Sequence, residues 1–400
     1  MIYLEVTTSS KSVRNTGIQR ITRRIFQELA ARVSLTPISW NKVGRRFHRL
    51  SRGERAILQT PFLVRSRPTT HPELRGENFM VDAYRTLFRR NLQLTDALQE
   101  GDVFLIPDIY RDARTRILPA LNRKIRGKSA AIFHDAAALQ LPSLYPRAGP
   151  RRRFREYIES LASFDLVICV SSHSHDELQR LWAQYGTKPT RTAVETWPVE
   201  FSEEERIQEQ KPLGNLVVCV GSLEPRKNHL LLLRAAKSLW DRGLSFDLTI
   251  IGRSTVGHGW NVSKQIRTLQ GKGYSVRWLR HVDDRVLHRA YRDCKFTVYP
   301  SLVEGFGLPI AESLWHGKPC ICGGNGALGE VAQGGGCLIV DQNRARALAD
   351  GMAELLTNPS RYEKLREEAR ERRFRSWSDY ADRLLAHLGS LFGSGSAPQA

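Results

Sequence analysis

Near its three-quarter point the chain reads Glu304-Gly305-Phe306-Gly307-Leu308-Pro309-Ile310-Ala311-Glu312, two carboxylates bracketing a glycine-rich turn. The preceding run, Lys295 to Ser301, is apolar and β-rich, so the turn falls at a strand's carboxyl end, where open α/β sheets bind ligands. Pro309 suits the first turn of a helix, because the N–H it lacks would be unpaired there anyway. The turn therefore aims backbone N–H groups and the positive end of a helix dipole at one spot, which suits phosphate. Glu304 and Glu312 can accept hydrogen bonds from hydroxyls on either side of it. A ligand with hydroxyls flanking phosphate is a nucleotide sugar.

A second constellation lies at the end of the apolar strand Leu216 to Val220, where Gly221-Ser222-Leu223-Glu224-Pro225-Arg226-Lys227-Asn228 turns into a leucine-rich helix from His229. Arg226 and Lys227 are adjacent cations on what is expected to be the same sheet edge, suited to clamp a diphosphate from the side opposite the helix dipole. Taken alone, such a pair can also be a solvated basic loop; together with the glycine turn it points to one ligand crevice. In the first half, Asn15-Thr16-Gly17-Ile18-Gln19-Arg20 opens a helix after the first strand, with Asn15 or Thr16 as N-cap and Gly17 allowing close backbone approach. His134-Asp135 ends the strand Ala130 to Phe133 and forms a titratable pair at that strand's carboxyl end.

The elements that must position these groups repeat regularly. From residue 215 strands are expected at about 215–221, 246–252, 276–282, 294–300, 319–322 and 337–340, with helical patterns between most of them, which gives a doubly wound parallel sheet. The first half repeats the style with strands at 2–6, 103–107, 129–134 and 165–170 and helices at about 17–31 and 151–163. Residues 40–80 are Arg-rich and weakly periodic and read as a loop region or insertion. The expected domains are 1–202, joined by a C-terminal helix at about 376–392, and 203–375, with a disordered tail at 393–400. Trp197-Pro198-Val199-Glu200-Phe201 and the acidic run Glu203-Glu204-Glu205 read as the hinge.

The chain has 400 residues and a net charge of +20, with 33 Lys/Arg against 19 Asp/Glu in residues 1–200 and 28 against 22 in residues 201–400. That balance favours an anionic partner, whether nucleic acid, an acidic membrane surface or a phosphorylated substrate. No apolar run is long enough to span a bilayer, and the start, Met1 to Thr7, has a strand pattern rather than that of an export leader. Six cysteines sit in or beside apolar strand-like runs, as buried reduced thiols of a cytoplasmic protein do. No zinc-site spacing and no Asp-x-Asp step occurs, so no metal is expected.

These residues resemble a known family. Tyr299-Pro300-Ser301, Glu304 to Pro309, Glu312 and Gly317-Lys318-Pro319 are similar to the signature of retaining GT-B glycosyltransferases of the glycosyl transferase group 1 family, and Gly221 to Asn228 resembles its diphosphate loop. Thr16 to Arg20, His134-Asp135 and Phe164 to Ser171 resemble bacterial mannosyltransferase-like members, and Ser376 to Tyr380 the start of the family's returning C-terminal helix. The resemblance implies an α/β GT-B architecture of two Rossmann-like lobes facing across a cleft. Glu304 and the amides of Phe306, Gly307 and Leu308 would contact the donor's sugar and phosphates, Glu312 the ribose, Arg226 and Lys227 the leaving diphosphate, and Val282 the base through its backbone, with Ser222 and Gly305 also in the donor site. Gly17 would line the diphosphate from the other lobe, with His134 and Asp135 beside the transferred sugar. One departure is that Pro198-Val199-Glu200 replaces the family's usual Gly-Val-Asp.

The implied activity is metal-independent transfer of a hexose with retention, without a cofactor, from a nucleotide-diphosphate sugar to a glycan or polyprenyl-pyrophosphate-linked acceptor in bacterial surface polysaccharide synthesis. The match tilts the donor to GDP-mannose, with a UDP-hexose as the alternative. The enzyme would be cytoplasmic and peripheral on the inner face of an anionic membrane. Competing readings are a nucleotide-sugar epimerase of the same fold and a basic nucleic-acid-binding protein, the latter lacking any nucleic-acid module or interleaved aromatic pattern.

Overall fold

The computed structural model describes residues 1–12, 16–59, 91–145, 148–200, 206, 214–254, 258–280 and 282–393. The chain divides into two compact units, Met1–Trp197 with Ser376–Ala400, and Pro198–Arg375.

In the first unit, β1 (Ile2–Glu5), β2 (Leu35–Asn41), β3 (Arg46–Arg49), β4 (Val103–Ile106), β5 (Lys128–Phe133), β6 (Leu166–Cys169) and β7 (Thr192–Val194) form a sheet in the order β3-β2-β1-β4-β5-β6-β7. All neighbours are parallel except β2 and β3. The strands β1, β4 and β6 are buried along their whole length, which is why β4 and β6 read as unbroken apolar runs and β1 as one closed by Glu5. Strand order reverses between β1 and β4, so the Rossmann-type switch point of this unit lies at their carboxyl ends.

The second unit carries β8 (Leu216–Val220), β9 (Asp247–Ile251), β10 (Val276–Leu279), β11 (Phe296–Tyr299), β12 (Cys320–Cys322) and β13 (Cys337–Ile339), all parallel, in the order β10-β9-β8-β11-β12-β13. Its switch point falls between β8 and β11. The segments that follow those two strands are the ones that carry Arg226-Lys227 and Glu304 to Glu312. All six cysteines are free thiols, five of them buried.

Ser376 caps the C-terminal helix Trp377–Gly389, its hydroxyl accepting from the Asp379 amide at 3.0 Å while the Asp379 carboxylate accepts from the Ser376 amide at 3.1 Å. This helix packs on Gly17–Ala30 and buries Trp377, Tyr380, Leu384 and Leu388 in the first unit. Arg383 Nε donates to the fully buried carboxylate of Glu195 at 2.8 Å, and the Tyr380 ring lies 5.4 Å from that of Trp197.

Three expectations are corrected. Residues 40–59 are not a loop: they complete the antiparallel β2–β3 pair and form the helix Arg52–Gln59. Residues 60–80 lie outside the described residues, as do Asn15, Glu203 to Glu205 and 394–400. The third strand of the second unit ends at Leu279, because its ladder with β9 stops there, so Val282 sits in the following loop, partly buried against the core. A short helix, Thr7–Ser10, also intervenes between β1 and the turn at Gly17, held by Thr7 N–H donating to Glu5 Oε1 at 3.1 Å.

Candidate active site

In the second unit the glycine turn is backbone-driven. Gly307 has φ +110° and an added Cβ would meet nothing nearer than 3.5 Å, so it is the left-handed conformation, not space, that requires glycine. That conformation lets the Leu308–Trp315 helix start, with Pro309 in its first turn and the Ile310 amide donating to Gly307 O at 3.0 Å. Among the described residues the backbone amides of Phe306, Gly307 and Leu308 have no hydrogen-bond acceptor. These are the orphan donors of a helix start, beside the positive end of its dipole.

Glu304 lies at the centre of a charged cluster. Its Oε2 accepts from Arg226 Nη1 at 2.5 Å, and its Oε1 accepts from Lys227 Nζ at 2.6 Å, from Tyr299 Oη at 2.8 Å and from Ser301 Oγ. Arg226 is further fixed by Val303 O at 3.0 Å and by Glu224 Oε2 at 3.2 Å, and Glu224 in turn accepts from Ser222 Oγ at 2.6 Å. Burial works to raise the Glu304 carboxyl, but the two cations and the donated hydrogen bonds outweigh it and hold it at about 2. Burial and the Arg226 charge lower the Lys227 ammonium, against the pull of Glu304. The cations therefore form a pre-oriented group, tied to Glu304 and Glu224, rather than a free basic loop.

Glu312 is buried on the same helix, its Oε2 accepting from Tyr291 Oη at 2.6 Å. The His316 ring stacks on Tyr291 at 5.1 Å, and its Nδ1–H donates to Glu312 O at 2.8 Å. Burial pushes the His316 imidazole down to about 3, so the ring is neutral and its Nε2 accepts from His288 Nδ1 at 3.2 Å.

In the first unit, Thr16 is the N-cap of Gly17–Ala30, its amide and hydroxyl both donating to Gln19 Oε1 at 3.2 and 3.0 Å, and Gly17 is the first helical residue. His134 is buried at the end of β5, with Nε2 donating to Pro107 O at 2.6 Å and its ring stacked 5.6 Å from Trp197. Burial lowers its pKa, against the Pro107 carbonyl and Asp135. Asp135 Oδ1 accepts from the Ala137 amide at 3.1 Å.

The sequence reading missed a buried acidic group at this unit's switch point. Asp108, just past β4, accepts from Thr22 Oγ1 at 2.9 Å, while Glu5, ending β1, pairs with Arg114 at 2.9 Å. Burial and the Glu5 charge push the Asp108 carboxyl up to about 7, with Thr22, Arg114 and Ser9 opposing. The available signal was Pro107-Asp108 directly after an apolar strand. Also unassigned were Glu224, Tyr299 and Ser301, polar residues at strand ends inside the quoted motifs. No cluster of three His, Cys, Asp or Glu side chains able to hold a metal occurs among the described residues. Nor is any helix among them long and apolar enough to cross a membrane.

Comparison with known proteins bears on this geometry. Residues 201–372, which lie within the second unit, match the family model described as "Glycosyl transferases group 1". The chain carries a glycosyl transferase group 1 domain. It is 27% identical over 296 residues to the O-antigen chain mannosyltransferase B of Escherichia coli, covering 72% of this chain and 74% of that protein. It is 24% identical over 350 residues to the GDP-mannose-dependent alpha-(1-6)-phosphatidylinositol dimannoside mannosyltransferase of Mycobacterium tuberculosis, covering 85% and 86%. The solved sucrose-phosphate synthase from Thermosynechococcus elongatus superposes with a TM-score of 0.68 at 16% identity, covering 98% of this chain and 99% of that one. With its glycosyl transferase group 1 domain and two parallel-sheet units, this glycosyltransferase has the GT-B fold.

Proposed function

We propose that this glycosyltransferase transfers mannose from GDP-mannose, with retention of configuration and without metal, to a glycan or polyprenyl-pyrophosphate-linked acceptor in bacterial surface polysaccharide synthesis. The observation that carries the reading is the conjunction, at the β8/β11 switch point, of three acceptorless amides at Phe306, Gly307 and Leu308 with the Arg226–Lys227–Glu304 cluster. Breaking a sugar–phosphate bond leaves negative charge on the diphosphate, which pre-oriented donors stabilise without reorganising. The amides and the two cations supply that stabilisation, and Glu304 holds the cations in register. Glu312 takes the ribose hydroxyls, exchanging its Tyr291 partner, and Ser222 and the Val282 backbone complete the donor contacts. The acceptor hydroxyl attacks the anomeric carbon from the face the diphosphate leaves, the sugar–phosphate bond breaks, and the departing phosphate oxygen takes the hydroxyl proton.

Mannose is favoured by the mannosyltransferase names of the relatives, and the GDP nucleotide by the Mycobacterium protein's name. Membrane-carried acceptor and cytoplasmic, peripheral placement on an anionic bilayer are supported by the excess of 33 Lys/Arg over 19 Asp/Glu in residues 1–200. The test is thermal shift against GDP, UDP and ADP, followed by product analysis with GDP-mannose. At about one hundred times its dissociation constant a ligand stabilises by roughly 2.7 kcal/mol, or about 5–10 °C for a domain of this size. GDP is expected to give that shift; no shift with any of the three would sink the reading.

A further inference from the structure

The excess charge of the chain's second half is concentrated in one place. Residues 201–400 hold 28 Lys/Arg and 22 Asp/Glu, yet residues 248–282 hold six of those cations and no acid, so the remainder of that half is balanced at 22 against 22. This stretch comprises β9 from its second residue, the helix His258–Gly271 and β10, the edge strand of the second sheet. Trp260, Lys264 and Arg267 follow one another at helical spacing, four and three residues apart, along the exposed side of the helix. The opposite side, Val262, Ile266 and Leu269, is buried in the core. Arg277 on β10 and Arg280 just beyond it are exposed as well, and the helix packs against β10. Among the described residues Lys264, Arg267, Arg277 and Arg280 have no ion-pair partner, while Lys272 feels an acid, Asp241.

Trp260 is 78% exposed, whereas Trp40, Trp182, Trp197, Trp315 and Trp377 are buried. Cations on an edge strand guard it against pairing with other chains, which accounts for Arg277 but not for a bare indole or for acid-free cations along the helix. An amphipathic indole beside unpaired cations has the chemistry of a bilayer interface, where tryptophan settles at headgroup depth and basic side chains meet anionic lipid. Neither signal is strong alone, and two together give stable but reversible attachment.

We infer that the face formed by Trp260, Lys264, Arg267, Arg277 and Arg280 is a docking surface for an anionic lipid bilayer, on the second unit. It deepens the membrane placement proposed above, and it does not depend on which nucleotide the donor site takes.

The experiment uses the full chain with vesicles of phosphatidylglycerol or of phosphatidylcholine, read by sedimentation and by tryptophan emission. The wild type is expected to pellet with the anionic vesicles only, to be released by about 0.5 M salt, and to show a blue shift that Trp260→Phe abolishes. Each cation is worth about fivefold in partitioning, so Lys264→Ala/Arg267→Ala should weaken binding roughly twenty-five-fold. The substituted side chains are exposed, and an unchanged nucleotide thermal shift verifies that the variant is folded. If the anionic vesicles release Arg152→Glu/Arg153→Glu but retain the Lys264/Arg267 variant at wild-type strength, the membrane placement stands and this surface falls. Equal pelleting with both vesicle types overturns the inference, and so does duplex DNA binding that the Lys264/Arg267 variant loses in the absence of any vesicle binding.

Discussion

Replacing Glu304 by Gln tests whether the carboxylate at the centre of the site holds the two cations in place. The substitution keeps the shape and an acceptor oxygen for Tyr299 and Ser301 but removes the charge facing Arg226 and Lys227. Glu304 moves from an ordinary 4.5 to about 2, and about 2.5 units at 1.36 kcal/mol each give roughly 3 kcal/mol of stability at neutral pH. Because the folded-state value is the lower one, that contribution is fully present above about pH 4.5 and is lost as pH falls towards about 2. Urea unfolding of wild type and Glu304→Gln, followed by circular dichroism at pH 7, 5, 4 and 3, should give a stability difference of about 3 kcal/mol at pH 7 and 5 that narrows at pH 4 and 3. Many other carboxylates titrate in this range, but they cancel in the difference between the two proteins. A difference below about 1 kcal/mol at pH 7, or one that does not change between pH 5 and 3, would refute the idea that Glu304 is charged and held by its partners.

Arg226→Ala and Lys227→Ala should each lower kcat/KM for sugar transfer by roughly ten- to hundredfold, since a charge-assisted hydrogen bond is worth about 1.5–3 kcal/mol; steady-state kinetics with a matched donor would show it, and a threefold effect would not fit. Gly307→Ala forces a side chain into φ +110°, and a loss of about 1–3 kcal/mol in urea unfolding is expected. Asp108 behaves oppositely to Glu304: its folded-state value is raised to about 7, so stability is lost as pH rises from about 4 to 7, and Asp108→Asn should stabilise the first unit at pH 8 while changing little at pH 4. Tyr380→Ala, which empties a buried contact with Trp197 and Trp377, should cost about 3–5 kcal/mol, read as a lowered melting temperature.

Both sheets' central strands were legible because they are buried and read as predominantly apolar runs, and so were the helices at Gly17 and His229, which follow turn residues. The edges were not. β2 contains Pro37, β3 is Arg-Phe-His-Arg and β7 is three residues long, so none offers a run that periodicity can detect. Val282 was read as strand because it extends an apolar pattern, whereas the ladder to β9 is what ends β10. The same division holds at the site. The turn chemistry of Glu304 to Glu312 is local and could be read from residue types. That Glu304 is gripped by Arg226 and Lys227, 78 and 77 residues away, depends on β8 and β11 being neighbours, which only the strand order reveals. The Asp108–Glu5 pair was hidden for the same reason, each residue being unremarkable until β1 and β4 lie side by side.

The return of Trp377–Gly389 to the first unit makes the second unit an insertion in the chain of the first. During synthesis the second unit is complete once residue 375 has emerged, while the first still lacks the helix that covers Trp197 and neutralises Glu195. At about 5–20 residues per second, the earlier-made half waits roughly 10–40 seconds with an uncovered apolar face and a charge awaiting its partner. The half translated first is thus the half finished last, and it is the one exposed to misassembly on the ribosome.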